Sequence, residues 1–463
     1  VKPDHYTVSI MLKALKRAKG SKDVNRCLSF LDRSSIDPCS DEILMNTVLE
    51  TYIRHKEFRR LESLLNKFEQ SSLRPSVPTY GSIIKAYANL KRPDKCWHFW
   101  NEMQGQRGLE PNDIVFGCML DALVCNNQVD EAVKLFENST LKPNAVLCSI
   151  LVKGFTTTGQ TQRAMSLWHE MRNNGVKMNT AACNAFVDAQ ARVGNMDEVL
   201  LIVEAMAEDG CKPDGITHST IVKGYAVKGD LDKAMEVLRS MQESGMHHDA
   251  IVYNTILDGC TKHKRIDLVD PTLESMEQHG IHPTNFTLGI LVKFYSRQKQ
   301  LDKAFACMNS LPKRGNFVPN CQVWSCLMGA CLMNGNPAKA LQVFREMRAA
   351  GQIADTRACT SLVSGLVRMG QVKEAVQVVD DVLGLNGKGK CHGVTIDQDC
   401  LETLLTALVQ KGLREEMAAP LLERLRAAHV PLSGRLMAAT LADSSPDYAG
   451  PPPKPRQKSY HYA

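Results

Sequence analysis

The sequence predicts an all-α protein in which helix-turn-helix units of about 35 residues stack into a solenoid. Similar short segments recur at this period and each precedes a new apolar run: GVKMN at 175–179, GCKPD at 210–214 and GIHPT at 280–284. Apolar residues within the runs recur at the helical steps of three and four. No β-rich block interrupts the series. A fixed period of this length is typical of repeat architectures that share one continuous core.

Cutting the chain after the residue that follows the recurrent proline divides residues 5–397 into eleven units. Residues 1–4 match the end of such a unit, so we expect further repeats, and any targeting segment, upstream. Residues 398–440 are predicted to form degenerate capping helices, and the Pro-rich tail 441–463 is predicted to be disordered. The units are 5–41, 42–76, 77–112, 113–144, 145–179, 180–214, 215–249, 250–284, 285–320, 321–355 and 356–397.

The unit 215–249 shows why each repeat should contain two helices. Its first apolar set lies largely on one helical stripe, and Gly229 then interrupts the run. Asp230 is a suitable N-cap for a second helix, which Gly245 ends. A hairpin of this size cannot bury its apolar faces alone, so neighbouring hairpins must stack. The first set is Ile216, Ile221, Val222 and Tyr225, and the second is Leu231, Ala234, Leu238 and Met241.

The composition is that of an ordinary globular chain. Hydrophobic residues make up 44% and charged residues 23% of 463, which excludes collagen-like and mostly disordered chains. No stretch approaches about 18 consecutive apolar residues, so we expect no membrane partner. The net charge of +6 permits a polyanionic partner without requiring one. The 16 cysteines form no Cys-x-x-Cys pair and lie mostly in apolar helical runs, as expected of free thiols in a reducing compartment.

Two segments resemble the pentatricopeptide repeat family: VYNTILDGC at 252–260 and GDLDKAMEVLRSMQESG at 229–245 match the two helices of its unit. The tetratricopeptide pattern, with its differently placed Trp, Gly, Tyr and Pro, is absent. The resemblance implies a right-handed α-solenoid that binds single-stranded RNA, one base per repeat, in a mitochondrion or a chloroplast (plastid). Some members carry a C-terminal deaminase with a zinc signature that this chain lacks. We therefore expect no catalytic residue, no metal and no cofactor.

In the family, the fifth and last residues of a unit carry most of the base code. An amide or hydroxyl at one position and Asp or Asn at the other address one base edge, and exchanging Asp for Asn replaces an acceptor with a donor. The implied base order is G, Y, undetermined, undetermined, A, U, G, Y, undetermined, G, G, where Y is a pyrimidine. The pairs are Ser9 with Asp41, Asn46 with Ser76, Gly81 with Asn112, Gly117 with Asn144, Ser149 with Asn179, Asn184 with Asp214, Ser219 with Asp249, Asn254 with Thr284, Gly289 with Asn320, Ser325 with Asp355, and Thr360 with Asp397.

Three units depart from this pattern, because Gly81, Gly117 and Gly289 offer no side chain at the fifth position. The alternative role of the last residue is helix N-capping, and that of the fifth residue is simple solvation. In the family, the second residue of a unit wedges between neighbouring bases, and its alternative role is ordinary packing. These second residues are Tyr6, Ile43, Ile114, Val146, Ile216, Ile251 and Phe286.

Charged residues one helical turn after the fifth position alternate in sign over nine units. Stacking is expected to place each Lys beside an acidic residue of the neighbouring unit, with Lys153 beside Asp188. Such pairs would keep the groove from becoming strongly basic. The series is Lys13, Glu50, Lys85, Asp121, Lys153, Asp188, Lys223, Asp258 and Lys293.

The predicted function is a monomeric, non-catalytic RNA-binding adaptor in organellar RNA processing, mRNA stability or translation, with RNA-processing proteins or the organellar ribosome as further partners. The alternative is a structural, protein-binding subunit of a large organellar assembly such as a ribosome. The modest net charge and the three glycines at the fifth position favour that alternative.

Overall fold

The structure, a computed structural model, describes residues 4–14, 26, 28–31, 36–385, 395–428 and 430. Within these ranges the chain consists of helices and their short connections, without a strand. The chain divides into two compact bodies, an N-terminal body, Val1–Gly259, and a C-terminal body, Cys260–Ala463. The prediction of an all-α fold built from successive helix pairs is confirmed.

The N-terminal body contains α1 and six pairs of helices. Helix α1 is His5–Ala14. The pairs are α2 (Glu42–His55) with α3 (Phe58–Glu69), α4 (Val77–Asn89) with α5 (Pro93–Asn101), α6 (Asp113–Cys125) with α7 (Val129–Glu137), α8 (Ala145–Thr157) with α9 (Thr161–Asn173), α10 (Thr180–Ala191) with α11 (Met196–Glu208), and α12 (Gly215–Lys228) with α13 (Leu231–Glu243).

The boundary between the two bodies falls within α14 (Ala250–His263), whose pair partner is α15 (Val269–Gln278). The later pairs are α16 (Asn285–Arg297) with α17 (Leu301–Gly315), α18 (Cys321–Met333) with α19 (Pro337–Ala349), α20 (Thr356–Arg368) with α21 (Val372–Leu383), and α22 (Gln398–Gln410) with α23 (Ala419–Ala427). The capping role of α22 and α23 stays a prediction. Residues 1–3 and the tail from 431 lie outside the described residues.

The first helices of successive pairs pack on one another and form one layer in each body. In the N-terminal body α4, α6, α8, α10 and α12 contact each other in this order, and in the C-terminal body α16, α18, α20 and α22 do so. A first helix therefore buries apolar residues against both neighbours and against its own second helix. In α6, for example, Val115, Met119, Leu120 and Leu123 are each fully buried. Within each body, this packing places the predicted fifth-position residues of these helices on one layer.

The boundaries predicted within 215–249 are confirmed. Gly229 ends α12 in the left-handed conformation, with φ of 92°, which costs glycine nothing. The side chain of Asp230 accepts a hydrogen bond from the Lys233 backbone N–H at 3.4 Å and caps α13. After α13 the chain turns at Gly245, with φ of 63°.

The cysteines within the described residues are free thiols. Cys148 and Cys183 are buried in the layer of first helices, and burial raises the pKa of each to about 12. Such thiols pack as small apolar side chains. None of the helices in the described ranges is long and apolar enough to cross a bilayer.

Candidate nucleic-acid interface

The last residues of the predicted units sit directly before the first helices, and most of them are N-caps. Nine accept a hydrogen bond from a backbone N–H of the first turn, so the capping alternative is correct as a structural role. Capping uses only part of the polar group at the end of each side chain, which we call its polar head. An Asp keeps a second oxygen, which accepts hydrogen bonds, and an Asn keeps its Nδ2, which donates them. The capping residues are Asp41, Asn112, Asn144, Asn179, Asp214, Asp249, Thr284, Asn320 and Asp355.

The Asp249 side chain accepts from the Ile251 N–H at 2.9 Å. The two remaining last residues behave differently. Ser76 and Asp397 make no side-chain cap bond. At Ser76 the carboxylate of Glu42, the first residue of the same unit, accepts the backbone N–H at 2.7 Å instead.

The pair Asn184 and Asp214 is joined directly. The Nδ2 of Asn184 donates to Oδ1 of Asp214 at 3.2 Å, although the two residues lie 30 positions apart. Burial raises the pKa of Asp214, but hydrogen bonds from Thr217 and Asn184 outweigh it and leave the pKa below its ordinary value. Asp214 is therefore ionised at neutral pH and is an acceptor only. The two residues form one polar head with a donor and an acceptor.

The hydroxyls at the fifth position are turned toward their own helices. Ser149 donates to the Val146 carbonyl at 2.7 Å, Ser219 to Gly215 at 2.6 Å and Ser325 to Cys321 at 2.8 Å. Each oxygen keeps acceptor capacity. Thr360 accepts the Asp397 backbone N–H at 3.2 Å. Side chains of this kind are positioned rather than freely solvated.

Two fifth-position residues are almost completely covered. Ser9 is 7% and Asn254 is 5% exposed, so they are the least accessible residues of the predicted set. The position of Gly81 has little room for a larger residue, because a Cβ there would lie 3.1 Å from Cγ2 of Val115. Around Gly289, apart from its chain neighbours and its own helix backbone, the described residues place no atom within 4 Å of such a Cβ. Gly81 and Gly289 therefore differ in the space that they leave.

The apolar second residues are exposed, which contradicts their alternative role as ordinary packing residues. Every one has at least 59% of its surface open, although β-branched and aromatic side chains are usually buried. Each lies two positions after the last residue of the preceding unit, in the first turn of a first helix. The exposed fractions are 65% for Tyr6, 59% for Ile43, 75% for Ile114, 61% for Val146, 66% for Ile216, 69% for Ile251 and 69% for Phe286.

Two open clefts in the N-terminal body bring these classes of residue together. One, of about 900 Å³, is lined by Lys85, Gly117, Asp121, Asn144 and Val146 among others. The second, of about 420 Å³, includes Asp214, Ile216, Ser219, Lys223 and Asp249. Each cleft therefore combines at least one capping residue, an exposed apolar residue and a lysine of the alternating series.

Four of the alternating charges form two ion pairs between neighbouring units, but the predicted partner of Asp188 was wrong. Asp188 binds Lys223 of the following unit at 2.8 Å, and Lys153 binds Asp121 of the preceding unit at 3.1 Å. Each of these lysines thus reaches back by one unit. The prediction also missed Arg192, which contacts Asp188 at 2.6 Å from one turn further along α10, a spacing that the sequence does show.

Sequence reasoning missed two further groups, Glu42 and the buried threonines Thr79 and Thr217. Thr79 and Thr217 are fully buried and contact Asn46 and Asn184, respectively. A signal was present, because each threonine is the third residue of the unit that follows an Asn at position five. No group of three His, Cys, Asp or Glu side chains in the described ranges is arranged to hold a metal ion.

A layer of stacked helices with capped polar heads and exposed apolar residues along one edge is the arrangement of a helical-repeat binding protein. Models of the pentatricopeptide repeat family match residues 40–138, 146–347 and 357–386. Their descriptions are pentatricopeptide repeat domain, PPR repeat family, PPR repeat and pentatricopeptide repeat-containing protein. The chain belongs to the pentatricopeptide repeat family.

Among curated relatives, the chain is 24% identical over 178 residues to pentatricopeptide repeat-containing protein At3g09650, chloroplastic, from Arabidopsis thaliana, which covers 37% of this chain and 22% of that protein. It is 29% identical over 96 residues to At2g18520, mitochondrial, of the same organism, covering 20% and 23%. The chain spans less than half the length of these relatives. The solved structure of maize PPR10 with an 18-nt psaJ RNA element aligns with 92% of this chain and 65% of that one, at 18% identity and a TM-score of 0.47.

Proposed function

We propose that this protein binds single-stranded RNA sequence-specifically, one base per repeat, and acts without catalysis in organellar RNA processing, stability or translation. The observation that carries the proposal is the joined head of Asn184 and Asp214 beside the exposed side chain of Ile216. The head offers a donor and an acceptor to a base edge, and the apolar side chain offers a surface on which a base can stack. Relatives named chloroplastic and mitochondrial support the organellar part of the proposal.

The first test compares RNAs that carry the central order A-U-G-Y with scrambled RNAs of equal composition, at one salt concentration. A good pair of base contacts contributes about 1–3 kcal/mol of discrimination, so we expect the ordered RNA to bind at least tenfold more tightly. Equal affinity for both RNAs would contradict sequence-specific binding.

The substitution Asp214→Asn tests how units are assigned to bases. Asn is as good an N-cap as Asp, so α12 should keep its stability while the acceptor becomes a donor. We expect the preference for U to be lost at one nucleotide, by roughly fivefold to a hundredfold, with the other nucleotides unchanged. Asp230→Asn is the matched control, because Asp230 caps the second helix α13 rather than a first helix. A uniform loss of affinity at all nucleotides would refute the assignment.

One observation favours the alternative, a structural subunit of an organellar assembly. Lys153 and Lys223 are already neutralised by aspartates, which weakens attraction for phosphate. In that case ordered and scrambled RNAs would bind equally and weakly.

A further inference from the structure

We propose that the buried threonines Thr79 and Thr217 are specificity-determining positioning residues, which hold the amides of Asn46 and Asn184 in opposite orientations. This inference rests on the proposed function, because it concerns which hydrogen-bonding groups an Asn presents to a base. It assigns part of the base selection to a side chain that no base can touch.

The sequence couples these threonines to asparagine. Asn occurs at the fifth position in three units, at Asn46, Asn184 and Asn254, and the third residue of the following unit is Thr in each case. These residues, Thr79, Thr217 and Thr287, are all fully buried. Where the fifth position is Ser, Thr or Gly, the corresponding residue is Leu44, Val115, Leu147, Ala182, Val252, Val323, Ala358 or Cys400.

A hydroxyl buried among apolar residues needs hydrogen-bond partners, since burial without them is costly. The position accepts Val sterically, as Val115, Val252 and Val323 show. Packing alone therefore does not require Thr at this position. The retained hydroxyl points to a polar role.

At Thr217 the hydroxyl belongs to a closed ring of hydrogen bonds. Its Oγ1 accepts the Asp214 backbone N–H at 3.1 Å and lies 2.6 Å from Oδ1 of Asn184 and 2.9 Å from Oδ1 of Asp214. The hydroxyl has one proton for these two acceptor oxygens, and the contact with Asn184 is the shorter. The Nδ2 of Asn184 then donates to Oδ1 of Asp214 at 3.2 Å, which also caps the Thr217 N–H at 2.9 Å. The amide oxygen of Asn184 is thereby held on Thr217.

At Thr79 the hydroxyl donates its proton to Glu42 rather than to the asparagine. The Thr79 hydroxyl donates to Oε1 of Glu42, which also accepts the Ser76 backbone N–H at 2.7 Å. Burial raises the pKa of Glu42, but hydrogen bonds from Ser76 and Thr79 outweigh it and keep the carboxyl ionised. Because its only proton is used, Thr79 can only accept from Asn46, whose Nδ2 lies 2.7 Å away. The amide nitrogen of Asn46 is thereby held on the threonine.

The opposite orientations matter because U and C differ by an exchange of donor and acceptor at N3 and at the 4-position. An amide that is held by its oxygen keeps its nitrogen for such an edge, and one that is held by its nitrogen keeps its oxygen, which in Asn46 is buried and has no hydrogen-bond partner among the described residues. Glu42 therefore takes part in base selection in its unit, although it is not one of the two code positions.

The test measures affinity for RNAs in which the nucleotide read by one unit is changed to each of the four bases. We expect Thr217→Val to lower discrimination between U and C at the Asn184 nucleotide by about tenfold, and Thr217→Ser to retain it. Glu42→Ala should change the U to C ratio at the Asn46 nucleotide only. Thr51→Val is the matched control, because Thr51 is buried but donates only to the Thr47 carbonyl of its own helix, at 2.7 Å.

A purely structural role for Thr217 would reduce affinity for all four RNAs equally, and that result would overturn the inference. So would unchanged U discrimination in both Thr217→Val and Glu42→Ala with RNA binding intact. If the unsubstituted protein shows no base preference at all, the proposed function fails, and the specificity role fails with it. Nitrogen-15 labelling of the Asn side chains gives a readout without RNA, in which Thr217→Val should shift the Asn184 amide resonance and Thr51→Val should not.

Discussion

Asp188 lies between two cations, and this placement makes its charge stabilising. Lys223 contacts one carboxylate oxygen at 2.8 Å and Arg192 the other at 2.6 Å. Burial raises the pKa of Asp188, but the hydrogen bonds and charges of Lys223 and Arg192 outweigh it and lower the pKa below 3.8. A carboxyl whose pKa is lowered on folding stabilises the folded state above its unfolded pKa, and that contribution is lost as pH falls through the folded pKa.

A double-mutant cycle with Asp188→Asn and Lys223→Met should therefore show coupling at pH 7. Because both side chains are about one-third exposed, we expect roughly 0.2–1 kcal/mol, measured by urea denaturation. The coupling should decline below pH 3.8 and vanish once the pH has fallen through the lower pKa of Asp188 in the folded state.

The control cycle joins Asp188→Asn with Lys153→Met, because Lys153 binds Asp121 instead. These two substitutions should be additive. Stronger coupling of Asp188 to Lys153 than to Lys223 would show that the units pair in the other direction.

At the candidate interface, some residue roles could be predicted from the sequence and others could not. The capping residues were predictable, because Asp or Asn before an apolar run is a strong N-cap signal. The partner of Asp188 was not, because the alternation of signs is compatible with pairing to either neighbouring unit. The offset between stacked helices decides that choice.

At the scale of helices, small residues allow the first helices to approach closely. A Cβ added to Gly224 in α12 would lie 3.0 Å from Cβ and 3.2 Å from Cα of Ala191 in α10. The Ala191 backbone cannot move aside without shifting α10. The close approach of α10 and α12 therefore depends on glycine at this position.

We expect Gly224→Ala to destabilise the N-terminal body by about 1–3 kcal/mol through overpacking, measured by thermal or urea denaturation. The matched control is Gly289→Ala in α16, also a helical glycine but with no atom within 4 Å of the added Cβ. That substitution should be neutral or stabilising by up to about 1 kcal/mol, since alanine favours helix. Equal destabilisation by both substitutions would contradict the close-packing account.

The helix pairs themselves were predictable, since Gly229 and Asp230 mark a helix end and a helix start by local chemistry alone. The close contact of Gly224 with Ala191 was not, because the two residues lie 33 positions apart and only stacking brings them together.

At the scale of the whole molecule, the net charge of +6 includes lysines that are already neutralised by aspartates of neighbouring units. Lys153 and Lys223 would add to a basic groove, but Asp121 and Asp188 bind them. RNA affinity should therefore depend less on salt than the lysines of the groove alone would predict, because Lys153 and Lys223 are already paired.

Replacing both aspartates, Asp121→Asn with Asp188→Asn, should free two lysines. We expect the slope of log affinity against log salt to steepen by about 1.4, since each neutralised phosphate of a single strand contributes about 0.7. Affinity for scrambled RNA should rise as well. Asp130→Asn is the control, because Asp130 pairs with Arg163 between second helices at 2.5 Å and should leave the slope unchanged. An unchanged slope in the double variant would place these lysines away from the RNA path.

The sequence by itself determined the period, the helix pairs, their caps and the family, because these depend on local propensity and on a repeat that is visible along the chain. The tertiary structure alone decided that Lys223 rather than Lys153 binds Asp188, that the apolar second residues are exposed, and that Glu42 and Thr79 hold Asn46. Each of these depends on the offset between stacked units. That offset is set by the packing of first helices about 35 residues apart, which no local pattern records.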